Sequence, residues 1–157
     1  MDLTDWLLAL HVLAAFAWIA ALVVFTVVVV AGRGLTVPSD VVRLFRVSRV
    51  GDALIAVGMV GTIVFGLWLA FDEYEIWDGW IITALVLWLV AGALGGRVGK
   101  VYDAARHRAK ELVAEGRDES NPELNASLRT QRGLVLHILL VVITLALLVV
   151  MIYKPGA

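Results

Sequence analysis

Four apolar runs, at about 6–31, 53–71, 81–99 and 133–153, alternate with polar connections along the chain. A helix rises about 1.5 Å per residue, so each run is long enough to cross ~30 Å of hydrocarbon. The second half of the first run, LVVFTVVVV, is rich in β-branched residues that favour strands in water. Lipid offers the backbone no hydrogen bonds, so an unbroken apolar run of this length must satisfy them internally and is expected to be helical. The pattern predicts an all-α polytopic membrane protein, a four-helix transmembrane bundle forming one domain over residues 1–157.

The connections carry their own pattern. Gly32, Gly34 and Pro38 end the first run. In SDVVRLFRVSRV, residues 39–50, Arg43, Arg46 and Arg49 recur every third position with Val42, Leu44, Phe45 and Val47 on the other faces. This predicts a short interfacial amphipathic helix, capped by Ser39 or Asp40 and leaving through an elbow at Gly51. Run three continues as VYDAARHRAKELVAEG with Gly116 as its stop, and Pro122 restarts a helix that runs through Leu124 and Leu128 into run four. A cytoplasmic helical hairpin over about 100–132, standing off one membrane face, is the expected result.

Arg33, Arg43, Arg46 and Arg49 lie in the first connection and eight more Lys and Arg in the third, so that of the 13 basic residues only Lys154 lies on the other side. The positive-inside rule then places both connections in the cytoplasm and both termini outside, in a bacterial or archaeal cytoplasmic membrane. The second connection, DEYEIWDGW, is acidic, and Trp77 and Trp80 with Trp6 and Trp68 suit an aromatic belt.

Composition narrows the chemistry. The chain is 61% hydrophobic and 17% charged, with a mean hydropathy of +0.91, whereas soluble domains are about half apolar and a quarter charged. No stretch remains for a soluble domain, and the lipid bilayer is the first expected partner. A net charge of -1 with no gathered basic surface gives no reason to expect nucleic acid. The absence of cysteine excludes disulfides, thiolate zinc, iron–sulfur clusters and thioether-linked haem. Any metal would have to use His, carboxylate or Met. The N-terminal MDLTDW has no basic residue and the run behind it exceeds a signal-peptide core, so it reads as a retained span.

LHVLAAFAWIAA, residues 10–21, holds the main candidates. His11 and Trp18 lie seven residues apart on one face with Ala14 and Ala15 between them. That hollow suits a neighbouring helix or a flat ligand. Gly58, Gly61 and Gly66 permit close approach of the second helix, with Gly66 near the depth of His11. By residue count His11 and His137 fall in opposite leaflets, roughly 15 Å apart along the normal, too far to share one metal. An intramembrane His is a functional candidate, and a polar interhelical contact is the alternative. The arginine row suits lipid phosphates, and Arg46 and Arg49 turned inward would pair with ligand carboxylates. GALGGRVGK spaces Gly92 from Gly96 and Gly95 from Gly99 as small-xxx-small pairs, a helix-packing or subunit interface rather than a phosphate loop. No hydrolytic triad or paired intramembrane carboxylate is present.

LHVLAAFAWIAALVV resembles the first span of small bacterial membrane proteins that include CopD-type copper-resistance proteins and HemJ-type protoporphyrinogen oxidases, in which a His precedes a Trp by seven residues. In length and loop pattern the chain is similar to a four-span family of predicted integral membrane proteins. The resemblance implies b-type haem or porphyrin, with His11 as the metal ligand and Trp18 beside it; Gly66 at the depth of His11, and Arg46 and Arg49 available to propionates, join the candidate site from the spacing of the chain itself. Val29 and Val30 stand where HemJ proteins carry a Pro-Arg pair, so porphyrinogen oxidase-like activity is implied by resemblance without a complete catalytic motif. Two further readings stand beside haem binding. One is a non-catalytic scaffold or accessory subunit that forms a homo-oligomer or joins a partner membrane subunit. The other is a small metal-handling or permeation protein.

Overall fold

The computed structural model describes residues 2–156, which form helices and no strands. In chain order these are α1 (Leu3–Gly32), α2 (Pro38–Glu73), α3 (Gly79–Ala114), α4 (Pro122–Leu128) and α5 (Gln131–Tyr153). Four helical stretches are long and apolar enough to cross a membrane, three of them α1, α2 and α3 and the fourth running from Pro122 to Tyr153. Much of their apolar surface faces outward, including Leu13, Phe16, Val57, Val60 and Leu89. In water such a surface would drive aggregation, whereas in lipid it is the solvated face.

Both termini lie at one end. The Thr4 hydroxyl donates to Asp72 at 3.0 Å and to Glu73 at 3.3 Å, and the Lys154 ammonium donates to Tyr74. This is the terminal end. The opposite, basic end carries the α1–α2 loop and the segment between α3 and α5.

α1 and α2 pack antiparallel through small residues. A Cβ on Gly58 would fall 2.5 Å from the Trp18 main-chain nitrogen, one on Gly61 2.7 Å from the Ala14 Cβ, and one on Gly66 2.8 Å from the His11 Cε1. These pairings climb α2 as they descend α1, so one run of glycines sets the whole crossing. Lipid tails are as apolar as leucine, and backbone approach of this kind supplies the contact that hydrophobic exclusion cannot.

The basic end departs from the sequence pattern. Pro38–Glu73 is a single helix, helical through Gly51, so residues 39–50 form no separate interfacial helix and Gly51 is no elbow. The reason is packing. Val41 and Phe45 enter a buried cluster with Val28, Tyr102, Leu112, Leu124 and Leu128, which takes the apolar face that would otherwise seek lipid. Glycine at 51 admits Val24 and Phe25 of α1, whose side chains lie 3.2 to 3.3 Å from the position of its absent Cβ. Neither Ser39 nor Asp40 caps the helix. Asp118, from the α3–α4 connection, accepts from the Ser39 N–H at 2.8 Å instead.

The segment between α3 and α5 packs against the basic ends of α1 and α2. Gly116, at φ +71, ends the turn after α3. Asn121 donates its N–H to the Thr36 carbonyl at 2.8 Å, and the Asn125 amide reaches the Leu35 carbonyl at 2.7 Å. α4 and α5 are separate helices, broken at Arg129 and Thr130. The break lets α4 lay Leu124 and Leu128, 2% and 1% exposed, onto the cluster.

Candidate functional site

His11 and Trp18 of the first span come to one cavity in the terminal half, of about 630 Å³ and lined by α1, α2, α3 and α5. Its size falls within the range of small-molecule sites, ~300–1,000 Å³. Its wall is almost wholly apolar, with His11, Trp18, Trp80, Trp88, Thr62 and Thr144 as its polar members and Thr4, Glu73, Tyr74 and Lys154 at the terminal end.

α1 carries His11 to this wall. The imidazole lies over Gly66, whose missing side chain would meet Cε1 at 2.8 Å and Nδ1 at 3.1 Å. The Thr62 main chain lies against the ring, yet Nδ1 is buried without a hydrogen-bond partner. The Thr62 and Thr144 hydroxyls donate back to the Gly58 and Leu140 carbonyls, at 2.8 and 2.9 Å. Each uses its proton inside its own helix and turns no donor to the cavity. The indole N–H groups of Trp18, Trp80 and Trp88 are buried and unpartnered. A buried donor without an acceptor is costly, so these donors favour an occupant that carries acceptors.

The hollow between His11 and Trp18 is divided. Ala14 is filled by α2 at Gly61, whereas Ala15 lines the cavity. Neighbouring helix and ligand space therefore share one stripe.

His137 is elsewhere. It is 3% exposed on α5, and its Nε2 lies 2.9 Å from the Thr26 Oγ1. The Thr26 hydroxyl donates to the Leu22 carbonyl at 2.8 Å, so the imidazole N–H donates to Thr26. Fifteen residues of α1 separate Thr26 from His11, about 22 Å of rise. The two histidines serve different places.

Arg46 and Arg49 do not reach the cavity. Both are exposed on the basic half of α2, about 25 to 30 Å along the helix from Gly66. Residues 39–50 pack inward through Val41, Phe45 and Ser48, which leaves the arginines on the outer face. The cation at the cavity is Lys154, and its sequence signal was its standing as the one basic residue outside the two basic connections. Trp80 also leaves the expected belt. At 6% exposed it meets Tyr74 edge-on, ring centroids 5.2 Å apart, whereas Trp6, Trp68 and Trp77 are 56%, 51% and 81% exposed.

Among the described residues no group of three or more His, Cys, Asp or Glu could hold a metal ion. His11 alone offers too few donors for a bare cation, but a macrocycle brings its own equatorial nitrogens and needs only an axial ligand. A cavity walled by one imidazole, aromatic rings and aliphatic side chains fits such a group.

The glycines of α3 separate by face. A Cβ on Gly92 would lie 3.1 Å from the Met59 Cε and one on Gly95 3.9 Å from the Leu140 Cδ2, whereas one on Gly96 or Gly99 would have no neighbour within 4 Å.

Residues 5–155 match the model of a family described as predicted integral membrane protein (DUF2269). No curated protein matches the chain, and no solved structure does.

Proposed function

The chain belongs to this family of integral membrane proteins, and from that premise we propose that it binds b-type haem or a related porphyrin in the terminal half of its bundle, with His11 as axial ligand. The observation that carries the reading is the His11 ring, seated on Gly66 by its Cε1–Nδ1 edge at the wall of a cavity of about 630 Å³. Trp18 and Trp88 supply flat apolar wall on the same cavity. Ligation through one imidazole nitrogen leaves the other to donate, and the Thr62 main chain beside the ring is the acceptor at hand. The role is electron transfer or tetrapyrrole handling. By the positive-inside rule the basic end faces the cytoplasm, so both termini and the cavity belong to the outer leaflet of a bacterial or archaeal cytoplasmic membrane.

The test is the dithionite-reduced minus air-oxidised spectrum of purified protein expressed with haem supplementation. The expected result is a sharp haem band in the wild type and in His137→Ala, and its loss in His11→Ala. A blank wild-type spectrum would overturn the reading.

A second reading, that the chain is a scaffold or accessory subunit assembling through α3, is favoured by the open space over Gly96 and Gly99. Glycines on an apolar face let a second helix approach closely. Gly96→Leu with Gly99→Leu should then lower the mass of the protein–detergent complex by whole protomers, and an unchanged mass would remove this reading.

A further inference from the structure

The cavity reading leaves Lys154 unexplained. It lines the cavity at the terminal end, beside the buried Trp80, in an otherwise acidic neighbourhood. Asp72 and Glu73 accept from Thr4, and among the described residues Lys154 forms no salt bridge with either. Instead its ammonium donates to the Tyr74 hydroxyl and lies 4.4 Å from the Tyr74 ring centroid and 5.5 Å from that of Trp80. The Tyr74 hydroxyl accepts from the charge and the Trp80 ring lies within cation–π reach of it, and neither neutralises it. The ammonium has three protons and Tyr74 takes one, so two remain to donate.

The backbone adds a second observation. Lys154 ends α5 at φ 42 and ψ 59, in the left-handed region. Glycine adopts that conformation freely and a lysine does not, at a cost of about 1 kcal/mol or more. The fold keeps lysine at a helix end where glycine, which has no Cβ, would be less strained.

Resting on the cavity reading above, we infer that Lys154 is the acid-recognising residue of the cavity, and that its occupant is an apolar body carrying a carboxylate which the Lys154 ammonium binds at the terminal end. The apolar part lies among Trp18, Trp88 and the aliphatic wall. The carboxylate lies at the end where the α5 helix stops and water begins. For a porphyrin this means that a propionate points toward the terminal end, and that Lys154, with Tyr74 and Trp80 as its holders, takes the part the sequence assigned to Arg46 and Arg49. A neutral lipid of the same size gains nothing from this charge.

The experiment uses the full chain in lipid nanodiscs with two metal-free probes, protoporphyrin IX and its dimethyl ester, titrated by quenching of tryptophan fluorescence. The wild type is expected to bind the free acid on the order of five- to tenfold more tightly than the ester. Lys154→Gln should bring the two affinities within about twofold by weakening the acid alone, and Lys154→Arg should keep the preference. Retained ester binding in Lys154→Gln shows that the variant is folded. Equal binding of acid and ester by the wild type, or an unchanged preference in Lys154→Gln, overturns the role of Lys154 and leaves the cavity reading standing. Binding of neither probe overturns the inference about Lys154, because it needs an apolar body and a carboxylate alone to be held, whereas the haem reading, which adds a bond from His11 to iron, falls only to the blank spectrum above.

Discussion

Thr26 and His137 join α1 to α5 through a hydrogen bond of 2.9 Å, and it lies at the basic end while the terminal halves of the same two helices are separated by the cavity. The bond is a clasp at the closed end of an otherwise open pair. His137→Leu removes it without stranding Thr26, whose hydroxyl still donates to the Leu22 carbonyl. Interhelical bonds in membranes are worth about 0.6 kcal/mol on average, at most about 1.7. The variant should lose that much stability in SDS-titrated unfolding, with any bound haem retained in proportion to folded protein.

Gly58 and Gly96 make an internal comparison. A methyl at 58 would press on Trp18 main-chain atoms at 2.5 and 2.8 Å, whereas one at 96 meets nothing within 4 Å. Backbone cannot step aside as a flexible side chain does. Gly58→Ala is expected to cost about 1–3 kcal/mol through overpacking, and Gly96→Ala to stay within about 0.5 kcal/mol of wild type. Thermal unfolding of the two in the same detergent checks both.

Gly66 is an intermediate case. Its added Cβ meets only the His11 ring, which can rotate away. Gly66→Ala should therefore cost less stability than Gly58→Ala while moving the imidazole off its seat. On the haem reading, bound haem per folded protein should fall severalfold, measured by absorbance against protein concentration. Unchanged haem content would sink the idea that Gly66 positions His11.

The orientation can be read directly because the chain has no cysteine. Single cysteines at Ser120 and at Asp78 mark the two ends. A membrane-impermeant maleimide should label Asp78→Cys in intact cells and Ser120→Cys only in inverted vesicles. The reverse pattern would place the cavity in the inner leaflet.

Much of the candidate site was legible. His11, Trp18 and Gly66 share a cavity wall because helical spacing puts the first two on one face and antiparallel chain direction brings the third to their depth. Arg46 and Arg49 misled because a row of arginines on a short amphipathic stretch looks the same whether its apolar face seeks lipid or protein. Here Val41 and Phe45 found Leu112, Leu124 and Leu128, and the arginines followed them outward. Trp80 misled for a related reason, since its place near a helix start suits a lipid belt and a buried cation–π contact equally well.

The sequence by itself determined the four apolar spans, the helical state of each, the glycine-lined crossing of α1 on α2 and the gathering of charge at one end. These follow from length, backbone hydrogen bonding and residue size, all of which act locally along the chain. Only the tertiary structure decided which face of each helix turns inward, that α2 runs unbroken through Gly51, that α4 lays Leu124 and Leu128 into the cluster at the basic end, and that Lys154 rather than an arginine stands at the cavity. The physical reason is the solvent. In water a helix announces its buried face by amphipathicity, but in lipid the outer face is as apolar as the inner one, so the inward face is set by close packing between helices that the linear pattern does not record.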